Sequence, residues 1–316
     1  MDFAELIRGF PDLTTTGLVQ GAIYALVALG YTLVYGVLRL INFAHSEVFM
    51  NGTFAAVWTW AFFGLDSNSD APSVLNALLL IGLAILTAAA LSGATALLVE
   101  VTAYRPLRRR NAPPLAFLIT AIGASYALAE LLGALTQRRQ VGMPRMLPTE
   151  PLIDAGGWSL SPLQLLTLAV AIIMMISLDW FVNQTRFGRG IRAVAQDANT
   201  AALMGVNKSR VIGLVFLLGG LMAGVAAVFT AMKSGNTRYN VGFLIGLKAF
   251  SAAVLGGIGN LRGAAIGGLL LGLVENYGSA LFGSQWRDLI AFVVLITLLM
   301  FRPTGLLGES LGRARA

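Results

Sequence analysis

Apolar residues run along this chain in long blocks, separated by short clusters of charge, glycine and proline. Nine blocks read as helical segments, at about 13–37, 43–64, 74–101, 115–136, 163–183, 211–232, 241–258, 263–283 and 286–301. Most approach the roughly 20 apolar residues that a helix needs to cross the hydrocarbon of a bilayer. The pattern predicts an all-α fold, a polytopic transmembrane helical bundle of about 8–9 spans. Two blocks depart from it. His45, Glu47 and Asn51 interrupt the second, and Gly242, Gly246 and Lys248 the seventh. Broken or re-entrant segments are therefore expected near 43–53 and 241–260.

Composition agrees with a membrane solvent. Of 316 residues 57% are apolar and 12% charged, about half the charge of an ordinary soluble domain (roughly 25%). The longest stretches outside the apolar blocks, 136–161 and 184–210, fall well short of the roughly 50 residues a separate domain needs. The chain is expected to be a single transmembrane domain over 1–316, with no catalytic domain in a loop. It has no cysteine, which removes disulfides and thiolate chemistry. Asp2, Glu5 and Asp12 outweigh Arg8 in the opening residues, unlike the basic start of a signal peptide. Glycine is abundant, at 36 residues, and recurs at four-residue spacing in Gly220–Gly224, Gly263–Gly267 and Gly268–Gly272. That spacing lines small residues along one helix face and lets backbones approach. Packing within the chain is expected, in preference to a dimer seam.

Charge gives direction. Arg105, Arg108, Arg109 and Arg110 lie between the third and fourth blocks. Arg186, Arg189, Arg192, Lys208 and Arg210 lie between the fifth and sixth, and Arg302, Arg313 and Arg315 follow the last. Twelve of the 22 basic residues thus fall in three stretches separated by even numbers of blocks. The positive-inside rule puts these stretches, and the C-terminus, in the cytoplasm, and the N-terminus outside. On this reading the net charge of +7 reflects topology rather than nucleic-acid binding. Arg138, Arg139, Arg145, Lys233 and Arg238 then fall outside, against the rule.

Ionisable groups at membrane depth are costly and line cavities or pair with one another. Asp179, Glu100 and Glu130 lie near block ends and are expected to reach the interface. Asn42, His45 and, more loosely, Asn51 share one helical stripe, either as a satisfied polar contact or as part of a solute path. Lys248 needs a counter-charge, which Glu47 or Glu275 could supply. The run Gly256-Gly-Ile-Gly-Asn260 permits a sharp turn with exposed backbone groups. Enzymatic signatures are missing. His45-Ser-Glu47 lacks the Cys pair of a zinc deaminase, a single His cannot build H-E-x-x-H, and no phosphate-binding G-x-x-x-x-G-K-[ST] occurs. No cofactor or metal site is expected.

The loop at about 184–210 is unusual. Asp197 and Asn199 can start a helix and Gly205 can end it, leaving Ala198, Ala201, Ala202, Leu203 and Met204 as a short, weakly amphipathic helix with small residues on much of its surface. Such an element suits a groove on another protein, or lies flat at the membrane surface. The pattern A-Q-D-A-N-T-A-A-L-M-G over Ala195–Gly205 resembles the coupling loop of ABC-transporter permeases. The wider chain is similar to the branched-chain amino-acid permeases. The similarity runs through G-A-I-Y-A-L-V-A-L-G-Y-T-L-V-Y-G from Gly21, I-N-F-A-H-S-E-V-F-M from Ile41 and Y-R-P-L-R from Tyr104. It continues through Gly205-Val-Asn, K-A-F-S-A-A-V-L-G-G-I-G-N from Lys248, R-G-A-A-I-G-G from Arg262, and R-P-T-G-L-L-G from Arg302. Ser46 stands where that family usually has Gly.

The resemblance implies a multi-pass inner-membrane subunit of an ATP-driven importer, without an ATPase site of its own. It would work with a second homologous permease, two cytoplasmic ABC ATPases and an extracytoplasmic solute-binding protein, within membrane lipid and without nucleic acid. Asp197, Ala201, Ala202 and Gly205 would couple to the ATPases. Asn42, His45, Glu47, Lys248 and Asn260 would belong to the translocation path. The expected solutes are leucine, isoleucine and valine, with urea or short amides as the alternative. A stand-alone carrier or channel, or a purely structural assembly subunit, are readings from other classes.

Overall fold

The computed structural model describes residues 9–155 and 158–308. Asp2, Glu5 and Arg8, and the tail residues Glu309, Arg313 and Arg315, lie outside the described residues. Helix α1 (Phe10–Leu38) is apolar on every face and is buried almost throughout from Gly17 to Val34, as a helix hydrophobic all round must be. It stops where Arg39 turns left-handed, at φ 52°. Helix α2 (His45–Phe62) follows and is buried over most of its length. Helix α3 runs from Val74 to Arg109, 36 residues, or about 54 Å at 1.5 Å per residue. That exceeds the ~30 Å hydrocarbon, so one end projects. Near that end the helix widens into a π turn at Glu100–Tyr104. Inside it Glu100 is fully buried and held by Arg105, at 2.8 Å, and by Arg108. The expectation that Glu100 reaches the interface is thus revised: two arginines fold back over it.

Helix α4 (Pro114–Leu135) leads to an irregular segment carrying β1 (Val141–Gly142) and a hairpin of β2 (Ile153–Ala155) and β3 (Trp158–Leu160). Ser161 and Gln164 form a reciprocal capping box that opens α5 (Pro162–Gln184). Then come α6 (Arg186–Gln196), α7 (Ala198–Leu203), α8 (Lys208–Ser234), β4 (Asn236–Thr237), α9 (Val241–Gly256) and α10 (Leu261–Phe282). A 3-10 turn precedes α11 (Arg287–Phe301). Strands β1 and β4 pair antiparallel, Val141 opposite Thr237.

Among the described residues seven helices are long and apolar enough to cross a bilayer: α1, α3, α4, α5, α8, α10, and α11 with the turn before it. The other two apolar segments are α2 and α9, the pair that the sequence marks as irregular. Each is a continuous helix, and the irregular backbone lies at its edge, at 39–44 and 257–260. With 16 residues, α9 reaches only about 24 Å.

Helices α1, α2 and α8 form the centre, flanked by α3, α9 and α10. Helices α4, α5 and α11 lie outermost, with apolar residues such as Ile119, Ile173 and Ile296 exposed. Glycines set the seams. Gly220 and Gly224 of α8 meet the backbone of α3 at Ser92 and Ala88, and Gly268 and Gly272 of α10 meet α1 at Ala25 and Gly21. Gly263 and Gly267 meet α9 at Gly256 and Ala252. None of these contacts leaves space for a methyl group, so the four-residue repeats serve packing within the chain.

The connections sort to two ends. The β-hairpin bonds to the start of α1, Trp158 Nε1 donating to Thr15 Oγ1 at 2.9 Å. At the other end Gly36 lies beside Gly259, and the amides of Leu306 and Leu307 donate to Leu255 and Gly256, each at 2.9 Å.

Candidate functional site

A cavity of about 1290 Å³ opens between α1, α2, α4, the end of α8, α9, α10 and the start of α11. It exceeds the roughly 300–1,000 Å³ of a pocket fitted to one small molecule; it is a vestibule. The walls carry aromatic and aliphatic groups, Tyr31, Phe43 and Ile245 among them, and eight acidic or basic side chains of Asp, Glu, Lys and Arg.

Lys248 anchors one part of the wall. Its Nζ lies 3.0 Å from Glu275 Oε1 and 2.5 Å from Asp288 Oδ1, and 5.9 Å from the ring centroid of Tyr24. Arg287 Nε lies 3.2 Å from the same Glu275 oxygen. Two cations and two anions thus form a neutral quartet joining α9, α10 and α11. Of the counter-charges open to Lys248, Glu275 is the one used, and Asp288 joins from the next helix.

Glu47 stands apart from this quartet. It lies in the first turn of α2, and its Oε1 accepts from Ser46 Oγ at 3.3 Å and from Ser125 Oγ of α4 at 3.4 Å. Its Oε2 is buried with no partner. Gly242 and Gly246 of α9 bring bare backbone against Ser46, so the two irregular segments meet at this wall. Glu130 pairs with Arg138 at 2.5 Å. Lys233 Nζ donates to Gln20 Oε1 at 2.5 Å, and Arg238 also faces the cavity.

Of the five path residues expected from sequence, Glu47 and Lys248 line the vestibule and the other three do not. Asn42 Oδ1 accepts from Tyr104 Oη at 3.0 Å and from the amide of Ala44 at 3.2 Å, which fixes the entry to α2. His45 is buried edge-on against Tyr31, ring centroids 4.7 Å apart, in a space left by Gly30. Asn260 caps α10, accepting from Gly263 N at 3.1 Å, and donates to Leu307 O at 2.9 Å. Asp179, expected at an interface, pairs with Arg262 at 3.1 Å. Among the described residues no three His, Asp or Glu side chains converge as metal ligands would.

The second feature is the arm between α5 and α8. Thr185 caps α6 by accepting from Gly188 N at 3.0 Å. Asp197 caps α7: Oδ1 accepts from the amides of Asn199 and Thr200 at 2.8 and 3.2 Å, and Oδ2 from Thr200 Oγ1 at 2.6 Å. Those bonds hold its carboxyl below the ordinary aspartate value, the Thr200 hydroxyl contributing most. Lys208 Nζ reaches Asn199 Oδ1 at 2.7 Å. Gly205, at φ +86°, makes the left-handed stop that glycine supplies without steric cost. Ala201 faces inward, whereas Ala202 is exposed and Leu203 and Met204 are 88% and 82% exposed. The outward apolar tip is therefore Leu203 and Met204, whereas the sequence pattern pointed to the small residues of the same helix as the docking surface.

Comparison with known proteins adds the lineage. The family model described as the permease component of branched-chain amino acid transport systems matches residues 13–299. The high-affinity branched-chain amino acid transport system permease protein BraD of Pseudomonas aeruginosa is 41% identical over 299 residues, 93% of this chain and 94% of the relative. The corresponding LivH protein of Escherichia coli K12 is 37% identical with the same coverage. Among solved structures, a chain of PsaBC from Streptococcus pneumoniae, in complex with a Fab, matches with a TM-score of 0.50 at 14% identity. The match covers 96% of this chain and 97% of the other. That likeness concerns the fold alone.

Proposed function

The chain belongs to the permease components of branched-chain amino acid ABC transport systems, and from that premise we propose that it moves leucine, isoleucine and valine inward. It does so as one of two homologous permeases, fed by an extracytoplasmic binding protein and driven by two cytoplasmic ATPases. It supplies no ATPase site. The chain sits in the inner membrane, with the α6–α7 arm, the α9–α10 connection and the C-terminus on the cytoplasmic side and the N-terminus outside.

The coupling element is α7, with Asp197 as its cap, Gly205 as its stop, Ala201 seated inward and Ala202 on the docking face. The observation that carries this role is the exposed pair Leu203 and Met204 on a firmly capped helix. Two large apolar side chains held out in this way fit an apolar groove on a partner. The path runs through the vestibule, with Glu47 and Lys248 on its wall; Asn42, His45 and Asn260 hold the helices that shape it.

The test is leucine uptake into vesicles carrying the full transporter. Ala202→Trp and Leu203→Asp are expected to leave the chain inserted and to cut ATP-driven uptake at least tenfold. Ordinary uptake in both variants would overturn the coupling role. Uptake of urea or a short amide in place of leucine would replace the solute.

A further inference from the structure

Among the described residues four acids line the vestibule, and three have cations: Glu130 has Arg138, while Glu275 and Asp288 share Lys248. Glu47 has none within 4 Å. It is 2% exposed, and its Oε2 is buried without any hydrogen-bond partner. A buried carboxylate left in that state is costly and is stabilised by an incoming cation that can donate hydrogen bonds. On the same cavity Lys233 and Arg238 have no acid within 4 Å among the described residues; Lys233 holds only the neutral Gln20. Both belong to the basic residues that the charge reading places outside, against the positive-inside rule, so topology does not account for them. Around the one vestibule, then, an acid and two cations have no ion-pair partner among the described residues, and Tyr31, Phe43 and Ile245 also line it; a zwitterion with an aliphatic side chain carries the groups that match them as it passes.

We propose that Glu47 receives the α-ammonium of the solute as it passes, and that Lys233 and Arg238, elsewhere on the same lining, draw its carboxylate, so that the permease itself selects amino acids over neutral amides. The assignment rests on the transport reading above and names the chemistry of its site. Urea and short amides can hydrogen-bond to these groups but bring no charge of their own, so they neutralise neither Glu47 nor the two cations.

The experiment is uptake of labelled leucine by the reconstituted full transporter, in the wild type, Glu47→Gln and Glu47→Asp. Glu47→Gln keeps size and loses the charge; its uptake is expected to fall at least tenfold at equal complex yield. Glu47→Asp, with the charge kept on a shorter arm, is expected to recover part of the loss, which a purely packing role would not produce. If the wild type carries leucine and Glu47→Gln carries it equally well, the ammonium site is overturned and the transport reading stands. If the wild type carries no leucine, the transport reading itself fails. Should Glu47→Gln not assemble, the double variant Lys233→Met/Arg238→Met, at exposed positions, decides. Uptake reduced tenfold or more supports the proposal, and unaltered uptake overturns it.

Discussion

Lys248 shows what one charged residue in an apolar helix obliges its neighbours to do. Its ammonium holds Glu275 and Asp288, and Glu275, 1% exposed, depends on Lys248 and Arg287 for its charge to be tolerated. Removing one partner of a buried ion pair costs about 3–5 kcal/mol, whereas exchanging both for apolar groups is often neutral. Lys248→Met is therefore expected to lower the apparent melting temperature of the detergent-solubilised protein, and Lys248→Met/Glu275→Leu to recover most of the loss. A double variant no more stable than the single one would count against the pairing. The need for a counter-charge is legible from Lys248 alone. The choice of Glu275 over Glu47 is not, because it depends on how α10 rotates against α9, and the glycine seam at Gly263 and Gly267 sets that rotation.

At the scale of elements, α7 divides into what sequence does and does not convey. Its bounds follow from Asp197 and Gly205, a cap and a stop whose chemistry is local. Its outward face does not, because six residues make fewer than two turns and carry no usable period; Leu203 and Met204 emerge from packing against α6 and α8. The cap also has a pH signature. The folded-state pKa of Asp197 is depressed, so the stability it contributes is present above the unfolded aspartate value of about 3.9. That contribution disappears as pH falls through the lower folded value. Between about pH 5 and 8 the cap stays intact, and uptake is expected to show no pH dependence from this source. Asp197→Ala is expected to reduce uptake at neutral pH more than Asp197→Asn, which keeps an acceptor oxygen. Equal uptake in the two variants would remove the cap from the coupling account.

For the whole molecule, the periodicity and length of apolar blocks give nearly every helix, because a bilayer demands continuous apolar surface. The excess length assigned to the second and seventh blocks has a physical reason. Residues 43–44 and 257–258 continue the composition of α2 and α9 but lie in the turns at their ends, and at Gly257 the backbone leaves the helix at φ +107°. The glycine seams make the bundle intolerant of bulk. Gly224→Leu drives a side chain into the backbone of α3 near Ala88 and is expected to abolish recovery of monodisperse protein, while Gly82→Leu, in open space on α3, is expected to be tolerated. The wide turn at Glu100–Tyr104 has a different consequence, one of phase. A π turn closes its bond over five residues instead of four, here from the Arg105 amide to Glu100 O, so it takes up one residue more than an α turn. Deleting one residue between Glu100 and Arg105 would leave the two arginines four and seven positions after the acid, the spacing that shares a face of an ordinary α-helix. The turn works as an angular spacer, absorbing a residue while the basic end of the helix still faces its buried acid.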